Sequence, residues 1–260
     1  MNSITSRPLA LVTGASSGIG REFALQLAAA GYDLIVLARR ESELQRLAAE
    51  LAGPGARAEV VCADLGQPAG VAACIRAVGA RPLQLLVNNA GFGLYGLYAD
   101  TDGAREQQMI DLNVSALTAL TKGLLPALRR ARGGVINVAS TAAFQPGPWM
   151  AVYYATKAYV LSLSEALAEE WAVEGLRVMA LCPGPTRSAF QQGADMGRSG
   201  LLRLPLPGAD SVVASGLRAY RRGARVHIPG WINRLMAFSV RLTPRRWVSA
   251  LVYRLSAPVR

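Results

Sequence analysis

Tyr153 and Lys157 stand four residues apart, and Ser140 lies thirteen residues before the tyrosine. On a helix, residues i and i+4 share one face, so a phenol and an ammonium would be neighbours. Free Tyr ionises near pH ~10 and Lys near ~10.4, so neither alone is a good acid or base at neutrality. A cation ~4 Å from the phenolate, at an effective dielectric of ~20, favours ionisation by about 4 kcal/mol, or about three pKa units. The expectation is a tyrosine brought close to neutrality and able to exchange a proton with a carbonyl oxygen. The spacing by itself is a weak signal, because a core ring beside a solvated charge gives the same pattern. The scarcity of lysine strengthens it: of 28 basic residues only Lys122 and Lys157 are lysines, and arginine carries the charge elsewhere.

The elements that must position these groups read as alternating strands and helices. Pro8 to Thr13 is a short apolar run suited to a buried parallel strand. It breaks into Gly14-Ala15-Ser16-Ser17-Gly18-Ile19-Gly20 and then a helical pattern. Glycines in such a turn let a phosphate approach the helix N-terminus closely. The spacing is G-x-x-x-G-x-G and not the commoner G-x-G-x-x-G. A second strand, Asp33 to Ala38, ends at Arg39 and Arg40. An acidic residue there would hydrogen-bond the ribose 2′-hydroxyl of NAD, whereas arginine suits the 2′-phosphate of NADP. Strands follow at Arg57 to Ala63, at Leu83 to Asn88, and from Gly133 to Ser140; helices run from Gln67 to Ala80, from Ala104 to about Arg132, and from about Met150 to Glu174. The strand Leu176 to Cys182 ends at Pro183-Gly184-Pro185-Thr186, and a last strand spans Ala224 to Gly230. This predicts an α/β fold, a doubly wound parallel sheet with helices on both faces. Gly14, Arg39, Asp64, Asn88, Ser140 and Pro183 would all sit at the C-terminal ends of its strands, along one ligand-binding edge.

Composition narrows the chemistry. A chain of 260 residues with 52% hydrophobic content can bury one large core. No apolar run reaches the ~18 residues needed to span a bilayer, and the N-terminus enters a strand too soon to hold a signal peptide, so a cytoplasmic setting is expected. Cys62, Cys74 and Cys182 lack metal-ligand spacing, and His227 is the only histidine, which disfavours zinc sites and Ser-His or Cys-His hydrolysis. The net charge of +11 suits phosphorylated cofactors or anionic surfaces. Nucleic acid is not indicated, because no basic run is interleaved with aromatics.

Together, TGASSGIG (Thr13 to Gly20), NNAG (Asn88 to Gly91), Asn113, Ser140, YYATK (Tyr153 to Lys157) and PGP (Pro183 to Pro185) resemble the short-chain dehydrogenase/reductase family over roughly residues 8 to 230. The resemblance implies a single Rossmann domain of about seven parallel strands using NAD or NADP without metal. It implies that Tyr153 is the general acid in carbonyl reduction, that Lys157 lowers its pKa and binds the nicotinamide ribose, and that Ser140 orients the carbonyl. It implies that Asn113 holds a water in a proton relay. The glycine turn with Ser16, Ser17 and Ile19 would hold the dinucleotide, Asp64 would meet the adenine, Asn88, Ala90 and Gly91 would flank the adenosine side, and Pro183, Gly184 and Thr186 the nicotinamide. Nearest are broad-range, bacterial-type NADP-dependent ketone reductases, and the family further implies a homodimer or homotetramer packed through the helices after Ala104 and Met150. The expected function is NADPH-dependent reduction of a ketone or aldehyde, or oxidation of the secondary alcohol. The alternative is a non-catalytic NADP(H)-binding sensor or interaction protein, which loss of Tyr153 or Lys157 would have favoured.

The substrate side is less defined. Residues 186–208 are expected to form a lid, and Phe92, Leu94, Tyr95, Phe144, Trp149, Phe190 and Met196 fall on loops near the site and point to an apolar substrate. Beyond the domain of residues 1–230, residues 231–260 form a basic amphipathic extension. Trp231, Leu235, Phe238 and Leu242 recur at helical spacing, as do Trp247, Leu251 and Leu255, among Arg234, Arg241, Arg245, Arg246 and Arg254. Such helices suit an anionic membrane, a substrate pocket or a subunit interface equally.

Overall fold

In the computed structural model, which describes residues 7–187 and 206–258, seven parallel strands form one sheet in the order β3-β2-β1-β4-β5-β6-β7. They are β1 (Leu9–Thr13), β2 (Asp33–Ala38), β3 (Ala58–Cys62), β4 (Leu85–Asn88), β5 (Gly134–Val138), β6 (Arg177–Leu181) and β7 (Val226–His227). The chain winds outward from β1 through β2 to β3, then returns to the other side of β1 with β4. The direction of winding therefore reverses between β1 and β4, which opens a crevice at their C-terminal ends.

Strand residues alternate between two cores. Ala10, Val12, Leu34, Val36, Leu85, Val87, Ile136 and Met179 pack under α1 (Gly18–Ala29), α2 (Glu41–Ala52) and α8 (Ala209–Arg221). Leu11, Ile35, Leu37, Leu86, Val135 and Val178 face the opposite layer, which includes α3 (Pro68–Val78), α5 (Leu117–Gly123), α6 (Leu125–Ala131) and α7 (Ala151–Ala172). Because both faces are covered, the strands read as continuous apolar runs, β5 being buried at every position. At ~25 cal/mol per Å² of apolar area, this double burial is the main force holding the sheet and its two helical layers together. The start of β1 is tied down by Arg7, whose guanidinium donates to the carbonyls of Ala28 at 2.8 Å and Gly55 at 2.9 Å.

Two elements differ from the sequence expectation. The helix expected from Ala104 to Arg132 is divided: α4 (Gly103–Ile110), capped by the Asp102 carboxylate on the Ala104 amide at 2.9 Å, passes into a π-helical turn, Asp111–Ala116, and α5 and α6 are separated at Leu124. Pro126 supplies no amide donor, so the helix cannot run through unbroken. The last strand is two residues long and not seven, because Pro229 and Gly230, at φ +84°, end the pairing. Residues 231–258 contain the helices α9 (Trp231–Leu242) and α10 (Arg245–Ser256), broken at Pro244. The rows read from the sequence as apolar stripes face solvent, while Ala237, Val248, Val252 and Ser256 are the buried positions. Spacing identifies an apolar row; which of two adjacent rows packs inward depends on what the fold offers it.

Candidate active site

A cleft of about 540 Å³ opens along the C-terminal edge of the sheet. At its β1 end the turn after Thr13 is held by a side-chain stitch. The Thr13 hydroxyl donates to the Val87 carbonyl and accepts from the amides of Asn89 at 2.9 Å and Ala90 at 3.0 Å. Asn89 returns the contact, its amide donating to the carbonyls of Thr13 at 2.9 Å and Gly14 at 3.2 Å. Gly14 adopts φ +65°, and a Cβ on Gly20 would lie 2.3 Å from the Gly14 carbonyl oxygen, so side chains are excluded where the turn folds onto α1. The α1 N-terminus has no side-chain cap, which leaves its first amides available to an anion.

Ser16, Ser17, Gly18 and Ile19 line the cleft with Gly14, as do Arg39, Arg40 and Asp64 at the ends of β2 and β3. Arg39 and Arg40 are exposed, and the Arg40 guanidinium donates to the Ser16 hydroxyl at 3.1 Å. An uncapped helix end, a side-chain-free turn and two arginines at the rim are a donor set that fits the phosphates of a dinucleotide. Among the described residues no group of three or more His, Cys, Asp or Glu is placed to hold a metal ion.

At the other end Ser140, Tyr153, Lys157, Pro183, Gly184 and Thr186 line the same cleft. The backbone positions Ser140 firmly: its hydroxyl accepts from the Ala142 amide at 3.1 Å, and Thr141 N donates to the Pro183 carbonyl at 2.8 Å. Lys157 is buried on α7 and donates to the Val138 carbonyl at 2.8 Å. Its Nζ lies 5.8 Å from the Tyr153 ring centroid. Burial pushes the Lys157 ammonium down to about 8.

The phenol behaves differently from the sequence expectation. Burial raises the Tyr153 pKa, a hydrogen bond with Ser140 pulls it down only in part, and the neighbouring Tyr154 raises it further. The reason is geometric: the Lys157 ammonium lies beside the ring and is bonded to a carbonyl of β5, so its charge does not offset the cost of burying a phenolate.

Three expected residues lie behind the cleft wall. Gly20 underlies the glycine turn. Asn88 is buried and donates to Thr121 Oγ1 and Asn137 Oδ1, each at 2.9 Å, continuing through Asn137 to Ser164. Asn113, in the π-helical turn, is buried; its amide donates to the Phe92 carbonyl at 2.9 Å and to Thr156 Oγ1 at 3.1 Å, and its Oδ1 accepts from the Phe92 amide. A Cβ on Gly91 would lie 2.8 Å from Asn113 Oδ1 and 3.7 Å from Lys157 Nζ, so the glycine leaves a gap beside both groups.

Sequence reasoning gave Asn89 no separate role, although its asparagine side chain one residue after a strand end was the available signal. Tyr154, whose i+4 neighbour is Ala158 and not a lysine, also lines the cleft and meets Tyr153 edge-on at 6.2 Å between centroids. Phe92 also lines it, whereas Leu94 and Tyr95 pack with Met150 and Tyr153 behind. Phe144 packs instead against Leu117, Val160 and Cys182. Trp149 takes φ +71°, which costs a non-glycine residue about 1–2 kcal/mol, and is held between the rings of Tyr95 at 5.7 Å and Tyr253 at 5.8 Å. The segment expected as a lid, with Phe190 and Met196, lies almost wholly outside the described residues; its ends meet in one bridge, Arg187 to Gly208. His227 stands off the cleft, its Nε2 3.2 Å from Ser215 Oγ.

The chain is similar to known proteins in sequence and in fold. A sequence model described as short chain dehydrogenase matches residues 8–198. Oxidoreductase UcpA of Escherichia coli K12 is 36% identical over 196 residues, 74% of each chain. Among solved structures, a short-chain dehydrogenase from Sphingobium yanoikuyae in complex with NADPH superposes with a TM-score of 0.82 at 33% identity, covering 89% of this chain and 92% of that one. A bulky-bulky ketone specific alcohol dehydrogenase from Comamonas testosteroni gives 0.78 at 29% identity, covering 92% and 93%.

Proposed function

Because the chain belongs to the short-chain dehydrogenase/reductase family, we propose that this NAD(P)-dependent oxidoreductase uses NADPH to reduce an apolar ketone or aldehyde, or oxidises the corresponding secondary alcohol, with Tyr153 as general acid and base. The observation that carries the reading is the cleft itself: the glycine turn and Arg39 and Arg40 line one end, and Ser140, Tyr153 and Lys157 the other. Arginines at the end of β2 favour a 2′-phosphate over a bare hydroxyl, and the Sphingobium relative is in complex with NADPH.

Gly14, Ser16, Ser17, Gly18 and Ile19 would hold the diphosphate, Asp64, Ala90 and Gly91 the adenosine side, and Pro183, Gly184 and Thr186 the nicotinamide, with Gly20 and Asn88 supporting the glycine turn and the end of β4 from behind. When bound, NADPH supplies a hydride to the carbonyl carbon. Ser140 donates a hydrogen bond to the carbonyl oxygen and fixes its place beside Tyr153. The Tyr153 hydroxyl gives its proton to that oxygen as charge develops there, so hydride on carbon and proton on oxygen complete the alcohol. Burial keeps the Tyr153 hydroxyl in its protonated, donating form while making it a weaker acid than a free phenol, and the hydrogen bond with Ser140 offsets part of that shift. Lys157 binds the nicotinamide ribose and returns a proton to Tyr153. Asn113, fixed by its three bonds, borders the gap at Gly91, where a water would connect Lys157 to solvent. The ketone-specific Comamonas dehydrogenase supports a bulky carbonyl, as do the apolar Phe92, Met150 and Tyr154 on the wall.

The test is a panel of ketones and aldehydes followed by NADPH absorbance. Tyr153→Phe should lower turnover on the order of a thousandfold while leaving NADPH binding within about twofold; retained turnover would reject the assignment.

A further inference from the structure

We propose that α9 and α10 dock this protein on an anionic phospholipid surface. Exposed apolar side chains gather on these two helices: Trp231 is 73% exposed, Leu242 75%, Trp247 60%, Leu235 and Leu251 58%, and Phe238 56%. Elsewhere among the described residues only Leu97, Tyr98, Tyr159 and Val173 are large apolar groups comparably open. On α9, Trp231, Leu235, Phe238 and Leu242 follow i, i+4, i+7, i+11 and share one face. On α10, Trp247, Leu251 and Leu255 form a similar row, next to the row of Val248 and Val252 that packs with Tyr153, Tyr154 and Met150. The apolar rows are thus left over after the helices have been packed, and such a patch calls for an occupant.

Charge selects the occupant. Residues 231–260 contain six arginines and no Asp or Glu. Arg234, Arg241, Arg245, Arg246 and Arg254 are exposed, and none forms an ion pair with another described residue. A second copy docked through a two-fold interface would set this arginine-only patch against itself, with no acid to compensate. An anionic bilayer meets both features at once, taking the tryptophan, phenylalanine and leucine side chains into its interface and the guanidinium groups against its headgroups. No helix among the described residues is long and apolar enough to cross a membrane, so the contact is peripheral. This inference concerns the outward face of two helices whose inward face backs the cleft, and it does not rest on the catalytic reading.

The full chain should sediment with vesicles of phosphatidylcholine containing half phosphatidylglycerol at 0.1 M salt, and not with phosphatidylcholine alone. Tryptophan emission should shift to the blue on binding. Two triple variants on exposed positions separate the contributions: Trp231→Ser with Leu235→Ser and Phe238→Ser should abolish the blue shift and release the protein, and Arg241→Gln with Arg245→Gln and Arg246→Gln should weaken binding about a hundredfold. Failure to bind the anionic vesicles overturns the proposal. Binding unchanged in both variants also overturns it, by assigning attachment to the rest of the basic surface. Light scattering that shows the apolar variant converting a dimer to a monomer, with no vesicle binding by the parent, would make the patch a self-interface instead.

Discussion

A buried lysine in a protein with 26 arginines is a cost carried for a purpose. Lys157 has its pKa pushed down to about 8 by burial, so below that pH folding must place an ammonium where neutral chemistry would be preferred. The unfolded chain, with a lysine near ~10.4, binds more protons than the folded one between about pH 8 and 10, so stability rises with pH through that window. Lys157→Met removes the charge and the slope together. Even after the bond to the Val138 carbonyl is lost, the variant should be more stable at pH 7 by about 2 kcal/mol, or about 4–8 °C in Tm. That advantage should shrink as pH rises towards 10, and turnover should be lost at every pH; a variant less stable than the parent at pH 7 would show that the ammonium holds the fold together. The arginines at the cleft rim invite the complementary measurement. Replacing Arg39 and Arg40 by Ala should weaken NADPH binding by about a hundredfold, at about tenfold for each charged hydrogen bond, and change NADH binding by less than about threefold. Equal losses for both cofactors in a fluorescence titration would remove the arginines from 2′-phosphate recognition.

Elements explain why so many separate residues could be placed from the sequence. Each strand ends where its apolar run ends, and parallel pairing puts those ends on one edge, so Gly14, Arg39, Asp64, Ser140 and Pro183 were bound to meet once the alternation of strand and helix was read correctly. Side-chain direction was not legible in the same way. Asn88 and Asn89 are adjacent letters at the end of β4, yet one turns into the layer between sheet and helices and the other clamps the glycine turn. The state of Tyr153 was not legible either, because an i+4 spacing gives proximity but not whether the ammonium reaches the hydroxyl or the ring. The glycine turn is where element geometry is least forgiving. A methyl group on Gly20 would sit 2.3 Å from the Gly14 carbonyl oxygen, a backbone atom that cannot swing aside. Gly20→Ala should therefore push α1 away from β1, lowering stability by about 1–3 kcal/mol and weakening NADPH binding by at least about tenfold. Thermal melts paired with NADPH titration check this, and a variant with parental Tm and affinity would mean the turn has slack.

At the scale of the whole molecule, the two ends of the cleft are built by different parts of the chain. The glycine-turn end comes from β1, β2 and α1, whereas the wall behind Tyr153 is completed by α10, far along the sequence. Val248 and Val252 pack with Met150, Tyr153 and Tyr154, the Tyr253 ring meets Trp149 at a tilt, and the Tyr95 hydroxyl donates to the Ser256 carbonyl at 2.5 Å. The tail also braces the loop after β6: a Cβ on Gly184 would lie 2.7 Å from the Asn233 side chain of α9. Cofactor affinity and carbonyl affinity should therefore be separable. Val252→Ala with Tyr253→Ala removes buried apolar contacts and the ring that holds Trp149 at φ +71°, loosening the wall without touching Gly14, Arg39 or Arg40. The double variant should bind NADPH within about twofold of the parent while KM for a bulky ketone rises about tenfold, the equivalent of about 1.4 kcal/mol. A small aldehyde, which needs less of the wall, should lose less. If NADPH affinity is lost together with the rise in KM, α10 supports the fold as a whole and does not shape the substrate end of the cleft.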